Sequence, residues 1–237
     1  MPYYKRTGHL HNTLISFCYH YSDRNDYEVI IAEDSKNLKD VKEHELLLKI
    51  IEEFKNKINI VLIPIGIYTW NPCIAFNVAA KAAFGEYYVI TNPECFHMSN
   101  VLKGLDEEFE KDSAVYVVCS SMNRVGCKHF IKSFDELGGT DSKWFSHSIH
   151  RSGCLHFCNA LSKESWNKVG GFDEDYVNGI AYDDNDFINR IRKARLKIIH
   201  RDDLLTIHIS HGDVFANNPE KKKLWDINKK VYQKKWD

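Results

Sequence analysis

No run of apolar residues approaches the roughly 20 needed to span a bilayer, and Met1–Leu14 carries no apolar core of a secretory leader. Neither sign of charge is in excess: 32 Lys and Arg stand against 33 Asp and Glu, a net charge of -1. That removes any global pull toward nucleic acid or an anionic membrane. No CxxC pair occurs among the seven cysteines, Cys18, Cys73, Cys95, Cys119, Cys127, Cys154 and Cys158. Their number is odd and most sit in apolar strings such as VYVVCSS, so they read as reduced, buried thiols of a cytoplasmic protein. Cys154 and Cys158 flank His156, but the spacing matches no common zinc pattern. GxGxxG and other Gly-rich phosphate loops are absent, which argues against a nucleotidyltransferase. With no linker, repeat or low-complexity segment, one domain over 1–237 is expected.

What is present alternates between strand and helix. Asp26–Ser35 holds the compact apolar run VIIA and ends in acids, as a buried parallel strand does. Leu38–Lys57 places Val41, Leu46, Leu47, Ile50, Ile51 and Phe54 at helical spacing. Ile58–Ile65 reads as a second strand, a helix opens at Pro72 and stops at Gly85, and Tyr87–Thr91 is a third strand. This order predicts an α/β fold with a mostly parallel, doubly wound sheet and ligands beyond the strands' carboxyl ends. Two of those ends carry acids, Glu33-Asp34-Ser35 and Asn92-Pro93-Glu94.

The second half predicts helices over Met98–Lys111, Lys128–Glu136, Ser162–Val169 and Asp184–Ala194. Strands are expected over Ala114–Ser120 and Leu155–Leu161, a loop over Gly138–Ser152 and a turn at Gly170-Gly171-Phe172. The tail Glu220–Trp236 reads as a basic helix, with seven lysines between Pro219 and Asp237. Such a helix can bind an anionic surface, but it more often packs its aromatics on the body, so neither membrane nor nucleic acid is expected as a partner.

Several strings in this order resemble family 2 glycosyltransferases of the GT-A fold, over nearly the whole chain. Pro2-Tyr3-Tyr4-Lys5-Arg6 is similar to the turn after that family's first strand, and Tyr27–Ser35 to its acid-tipped strand. Asn77 through Gly85-Glu86-Tyr87 resembles its Asn-helix-Gly-Glu-Tyr segment. Gly170–Glu174 and Asp183-Asp184-Asn185-Asp186-Phe187, with Arg190 a turn on, resemble its acceptor-side motifs. The chain departs twice. The family's first strand should precede Pro2, so here it would be lost or replaced by another segment. The metal-binding Asp-x-Asp after YYVIT is replaced by Asn92-Pro93-Glu94, which keeps one carboxylate.

The resemblance implies transfer of a sugar from a nucleotide-sugar, UDP-linked in expectation, to a hydroxyl of a glycan, protein or small molecule. A GT-A module that binds nucleotide or glycan without turnover is the alternative. Residues 1–95 would form the donor half, 96–212 the acceptor half and 213–237 the basic helix. Pro2, Tyr4, Arg6, Glu33, Asp34, Asn77, Asn92 and Glu94 are implied donor contacts. Glu94 and His211, with His208 as a substitute, would hold Mn²⁺ or Mg²⁺, as related N-acetylgalactosaminyltransferases use a C-terminal histidine. Asp184 would be the base, with Asp183 beside it, and Asp186 and Trp144 would meet the acceptor. Neighbouring carboxylates raise one another's pKa, which suits a base, although one acid there can simply cap the helix.

Overall fold

The computed structural model describes residues 1–66, 71–212 and 218–237, apart from the side chains of Ser35 and Asn37. Strand β1 (Pro2–Tyr3) leads to helix α1 (Thr7–His20), β2 (Val29–Glu33), α2 (Ser35–Lys39), α3 (Val41–Phe54), β3 (Ile60–Pro64) and α4 (Cys73–Ala82). Next come β4 (Tyr87–Thr91), β5 (Cys95–His97), α5 (Val101–Lys111), β6 (Val115–Val125), β7 (Thr140–Ser146), β8 (Cys158–Ser162) and α6 (Lys163–Val169). Helix α7 (Asp183–Lys193), β9 (Lys197–Ile209) and α8 (Pro219–Trp236) complete the chain. The expected basic segment 213–237 is helical from Pro219; its residues 213–217 lie outside the described part.

The strands form two hydrogen-bonded sheets. The first is parallel, in the order β1-β2-β3; the second is mixed, β4-β8-β6-β9-β5, with β7 on β6. The YYVIT strand β4 therefore pairs antiparallel with β8, not with β2. Pro2 and Tyr3, read from the sequence as a turn following a strand, are themselves the strand: they pair with Ala32 and Glu33. In place of the expected helix over Lys128–Glu136 there is only a 3₁₀ turn at Phe134–Glu136. The Asn12 side chain takes the Lys128 carbonyl and the Ile131 N–H, and Phe130 sits at φ +54°, so no helical ladder can run there. The expected loop over Gly138–Ser152 contains β7, whose backbone pairs with Ser121–Val125.

Both sheets are covered on two faces. Leu10, Leu14 and Phe17 of α1 and Leu47 and Phe54 of α3 bury against Ile31, while Ala75 and Ala79 of α4 pack on Ile30 and Ala32. Each large side chain so buried contributes about 1.5–3 kcal/mol. That outweighs the weak helix propensity of TGHLHNTLISFCYH, rich in His, Thr and Ser. Under the second sheet α5 packs Val101, Leu105 and Phe109 on Val115 and Val117; above it Trp166, Phe172, Phe187 and Ile191 enclose Tyr116 and Leu161. Among the described residues no helix is long and apolar enough to cross a membrane.

Candidate functional site

The turn that leads into β5 meets the end of β9 through the backbone: the Ile209 N–H donates to the Glu94 carbonyl at 2.8 Å. This brings three side chains together. His208 Nε2 lies 3.7 Å and His211 Nε2 3.6 Å from Glu94 Oε1. One ligand atom from each of the three falls within 4.8 Å of the others. Burial alone would push the Glu94 carboxyl up; hydrogen bonding and charge from the two imidazoles outweigh it and hold it below the usual carboxylate range.

The Asn123 amide fixes one of these imidazoles. Asn123 Nδ2 donates to Ser142 Oγ at 2.7 Å, which leaves its Oδ1 facing His208 Nδ1 at 2.9 Å. An amide oxygen can only accept, so Nδ1 is a donor to Asn123 and Nε2 is the ring nitrogen left to face Glu94 or a cation. His211 is held in the other sense. Arg6 Nη2 lies 3.2 Å from its Nδ1, and a guanidinium only donates, so the proton of a neutral His211 sits on Nε2. A cation bound through Nε2 therefore needs Arg6 to leave Nδ1, freeing a positive charge beside the site. Phe145 of β7 packs 4.7 Å from the His208 ring and Phe157 5.5 Å. His9 lies 6.0 Å from the His211 ring, and burial, with His129 adding to it, drives its pKa down to about 4, so it is neutral near pH 7.

The acidic pair stands at the start of α7. Ala181 and Tyr182 enter it at φ +63° and +68°, a left-handed pair that non-glycine residues adopt at a cost and that aims the next two side chains. Asn71 Nδ2 donates to Asp183 Oδ1 at 2.9 Å, and His156 Nε2 lies 3.6 Å from Oδ2. Asp184 is half-buried; burial and the charge of Asp183 raise its pKa above the ordinary aspartate value. Residues 156 and 157 tie the two centres together. The His156 ring faces Asp183, its carbonyl accepts from Asn92 Nδ2 at 3.5 Å, and Phe157 touches His208.

The other expected contacts divide. Tyr4 is exposed and Pro2 half-buried at the N-terminal edge, and Asp34 sits at the β2 tip with Oδ1 accepting from the Lys36 N–H at 2.7 Å. Glu33 is fully buried, its two oxygens 2.9 and 3.0 Å from His44 Nδ1. Asn77 is spent on the chain: its amide donates to the Phe172 carbonyl and to Glu174, and its oxygen accepts from the Phe172 N–H. Asp186 does not reach the crevice. It is fully buried, 2.7 Å from both Arg190 Nε and Lys235 Nζ and 2.8 Å from Trp236 Nε1, so it anchors α8 rather than meeting an acceptor. Trp144 stacks on His150 at 5.7 Å and packs 4.4 Å from His147, on the half-exposed side of β7. Asn71, Asn123 and His156 were not anticipated. Each acts through a partner more than 25 residues distant in sequence, and no local signal marks them.

The α/β architecture that carries the carboxylate–imidazole cluster and the paired aspartates is that of the GT-A fold. A family model described as "Glycosyl transferase family 2" matches residues 1–170, and the chain belongs to that family. No curated protein matches the sequence. Among solved structures, the chain resembles mannosyltransferase PcManGT from Pyrobaculum calidifontis in complex with GDP-Man and Mn²⁺. The TM-score is 0.62 at 15% identity, over 98% of this chain and 60% of that one. It also resembles S. aureus TarS in complex with UDP-GlcNAc, with TM-score 0.65 and 13% identity over 96% and 63%. The complex of TarS with UDP gives TM-score 0.63 at 15% identity, over 96% and 62%. The chain thus spans about three fifths of the length of these proteins.

Proposed function

We propose that the protein transfers a sugar from a nucleoside diphosphate sugar, UDP-linked by preference, to an acceptor hydroxyl with inversion at the anomeric carbon. The observation that carries this reading is the convergence of Glu94, His208 and His211 beside Arg6 where the β4–β5 turn meets the end of β9. A departing diphosphate needs positive charge, and a divalent cation held by Glu94, His208 and His211 supplies it when bound. Two imidazoles and one carboxylate suit Mn²⁺ better than Mg²⁺, which prefers oxygen ligands. The Mn²⁺ in the PcManGT complex and the UDP ligands of the TarS complexes support the choice of metal and base.

Asp34 and Tyr4 at the edge of the first sheet meet the nucleoside, with Pro2, Asn92 and the buried Glu33–His44 pair shaping that wall. Asp184 accepts the proton of the acceptor hydroxyl. The acceptor oxygen bonds to the anomeric carbon from the face opposite the diphosphate, and the carbon–oxygen bond to the diphosphate breaks with its electron pair leaving on the phosphate. Asp183, held by Asn71 and His156, keeps Asp184 basic. Trp144 offers an aromatic face to the acceptor, a glycan, protein or small molecule. The seven free thiols support a reducing, cytoplasmic location. Release of nucleoside diphosphate from UDP- and GDP-sugars tests the reading: turnover that needs Mn²⁺ upholds it, and no release from any nucleotide-sugar overturns it.

A further inference from the structure

Between Pro219 and Asp237 seven lysines stand against Glu220, Asp226 and Asp237, in a chain whose net charge is -1. The rest of the molecule is therefore net acidic, and α8 is its positive pole. Packing sorts the two faces of this helix. Asn228 is fully buried and donates to the Tyr176 and Ala181 carbonyls. Trp225 packs 5.3 Å from the Tyr182 ring, Tyr232 OH accepts from Asn189 at 2.8 Å, and Lys235 and Trp236 close on Asp186. The opposite face carries Lys223, Ile227, Lys230 and Lys234, spaced i, i+4, i+7 and i+11 and all exposed. They form one stripe about 16 Å long, flanked by Glu220 and Asp226. Of the seven lysines only Lys235 forms an ion pair among the described residues, so the three ammonium groups of the stripe face solvent.

We propose that this stripe docks on an anionic lipid bilayer, with α8 lying in the plane of the headgroups. The three ammonium groups meet lipid phosphates, each strengthening binding about fivefold. Ile227, at the centre of the stripe and 42% exposed, enters the acyl boundary between them. Lipid is favoured over nucleic acid by what the stripe omits. Helix α8 contains no arginine, whose planar fork grips phosphate bidentately. Its aromatics, Trp225, Tyr232 and Trp236, are half-buried on the body, where no base can stack on them. An apolar side chain set among lysines gains nothing beside a polynucleotide and is buried by a bilayer. The aromatics pack on the body as the sequence suggests, and that packing turns the lysines outward, toward a partner not expected from the sequence. Because Lys235 and Trp236 hold Asp186 of α7, a seated α8 carries the Asp184 end of the crevice to the bilayer. This holds whatever chemistry occurs at Glu94.

Vesicle cosedimentation at about 0.1 M salt tests it on the 237-residue chain, a Lys223→Gln/Lys230→Gln/Lys234→Gln variant and an Ile227→Ser variant. The vesicles are phosphatidylcholine alone or phosphatidylcholine with an equal part of phosphatidylglycerol; polyuridylate probes the nucleic-acid alternative. The parent is expected to bind the mixed vesicles and not phosphatidylcholine alone, and the triple variant to bind them about 100-fold more weakly. Ile227→Ser is expected to weaken vesicle binding several-fold and to leave any polyuridylate binding unchanged. Both variants should melt at the parent's Tm, since every substituted side chain is exposed. The proposal is overturned if the parent ignores the mixed vesicles or binds both kinds equally. It is also overturned if either variant binds the mixed vesicles as tightly as the parent, or if polyuridylate is the tighter ligand.

Discussion

At Asp184 the carboxyl holds its proton more tightly than an ordinary aspartate because it is buried beside the charge of Asp183. A base there loses turnover as pH falls through this raised pKa, so the acid limb of the pH–rate profile should sit above the range of a free aspartate. The stability linkage has the opposite sense. Between the unfolded and the raised folded pKa the native state binds more protons, so ionising Asp184 costs stability as pH rises. Asp184→Asn should therefore cut turnover about 10²–10⁴-fold while leaving Tm at pH 7 equal or higher, with that advantage shrinking in acid. Near-parental turnover would make Asp184 a helix-start residue only.

The candidate metal site yields a second prediction at this scale. Asn123→Leu removes the acceptor that fixes His208 and should weaken Mn²⁺ binding about 10–100-fold, whereas Asn123→Asp, still an acceptor, should retain it; calorimetric Mn²⁺ titration reads both. Asp183, Asp184 and Glu94 stand out in the sequence as candidates because acids cluster at a helix start and just past a strand. His208 reads as a core strand residue, and it is buried; its place beside Glu94 and Asn123 appears only once the β6–β9 register is set.

Among the elements, α4 and the turn after α6 are joined through one amide. Asn77 spans from α4 to both backbone groups of Phe172, and Gly171 passes so close that a Cβ there would lie 2.7 Å from Asn77 Oδ1. Asn77→Ala should cost about 1–3 kcal/mol for the backbone groups it orphans. Gly171→Ala should cost at least about 1–2 kcal/mol from its φ of +66° alone. Denaturant unfolding measures both, and a cost near zero for Asn77→Ala would return this residue to the donor site. The Gly-Gly turn, α3 and α7 could be read from pattern, since glycine and the 3.6-residue period act locally. Helix α1 could not, because only burial of Leu10, Leu14 and Phe17 overrides its poor helix formers. Strand β7 was equally hidden: its partner β6 decides that TDSKWFS is extended.

Across the whole molecule, one short segment holds the two halves of the crevice in a fixed relation. His156 touches the acidic pair and Phe157 the histidine cluster, and both lie just before β8. On the far side α8 is pinned through Asn228, whose amide donates to the Tyr176 and Ala181 carbonyls, and through Lys235 and Trp236 on Asp186. The basic tail thus spends its end on the helix that carries Asp184. In the proposed function Glu94, His208 and His211 hold the cation that receives a nucleoside diphosphate. Isothermal titration of UDP and of GDP, with and without Mn²⁺, into the parent and Glu94→Ala proteins tests it most directly. Mn²⁺ should strengthen binding of one nucleotide in the parent and not in Glu94→Ala. Mn²⁺-linked affinity that survives unchanged in Glu94→Ala, or no nucleotide binding in the parent, would contradict it.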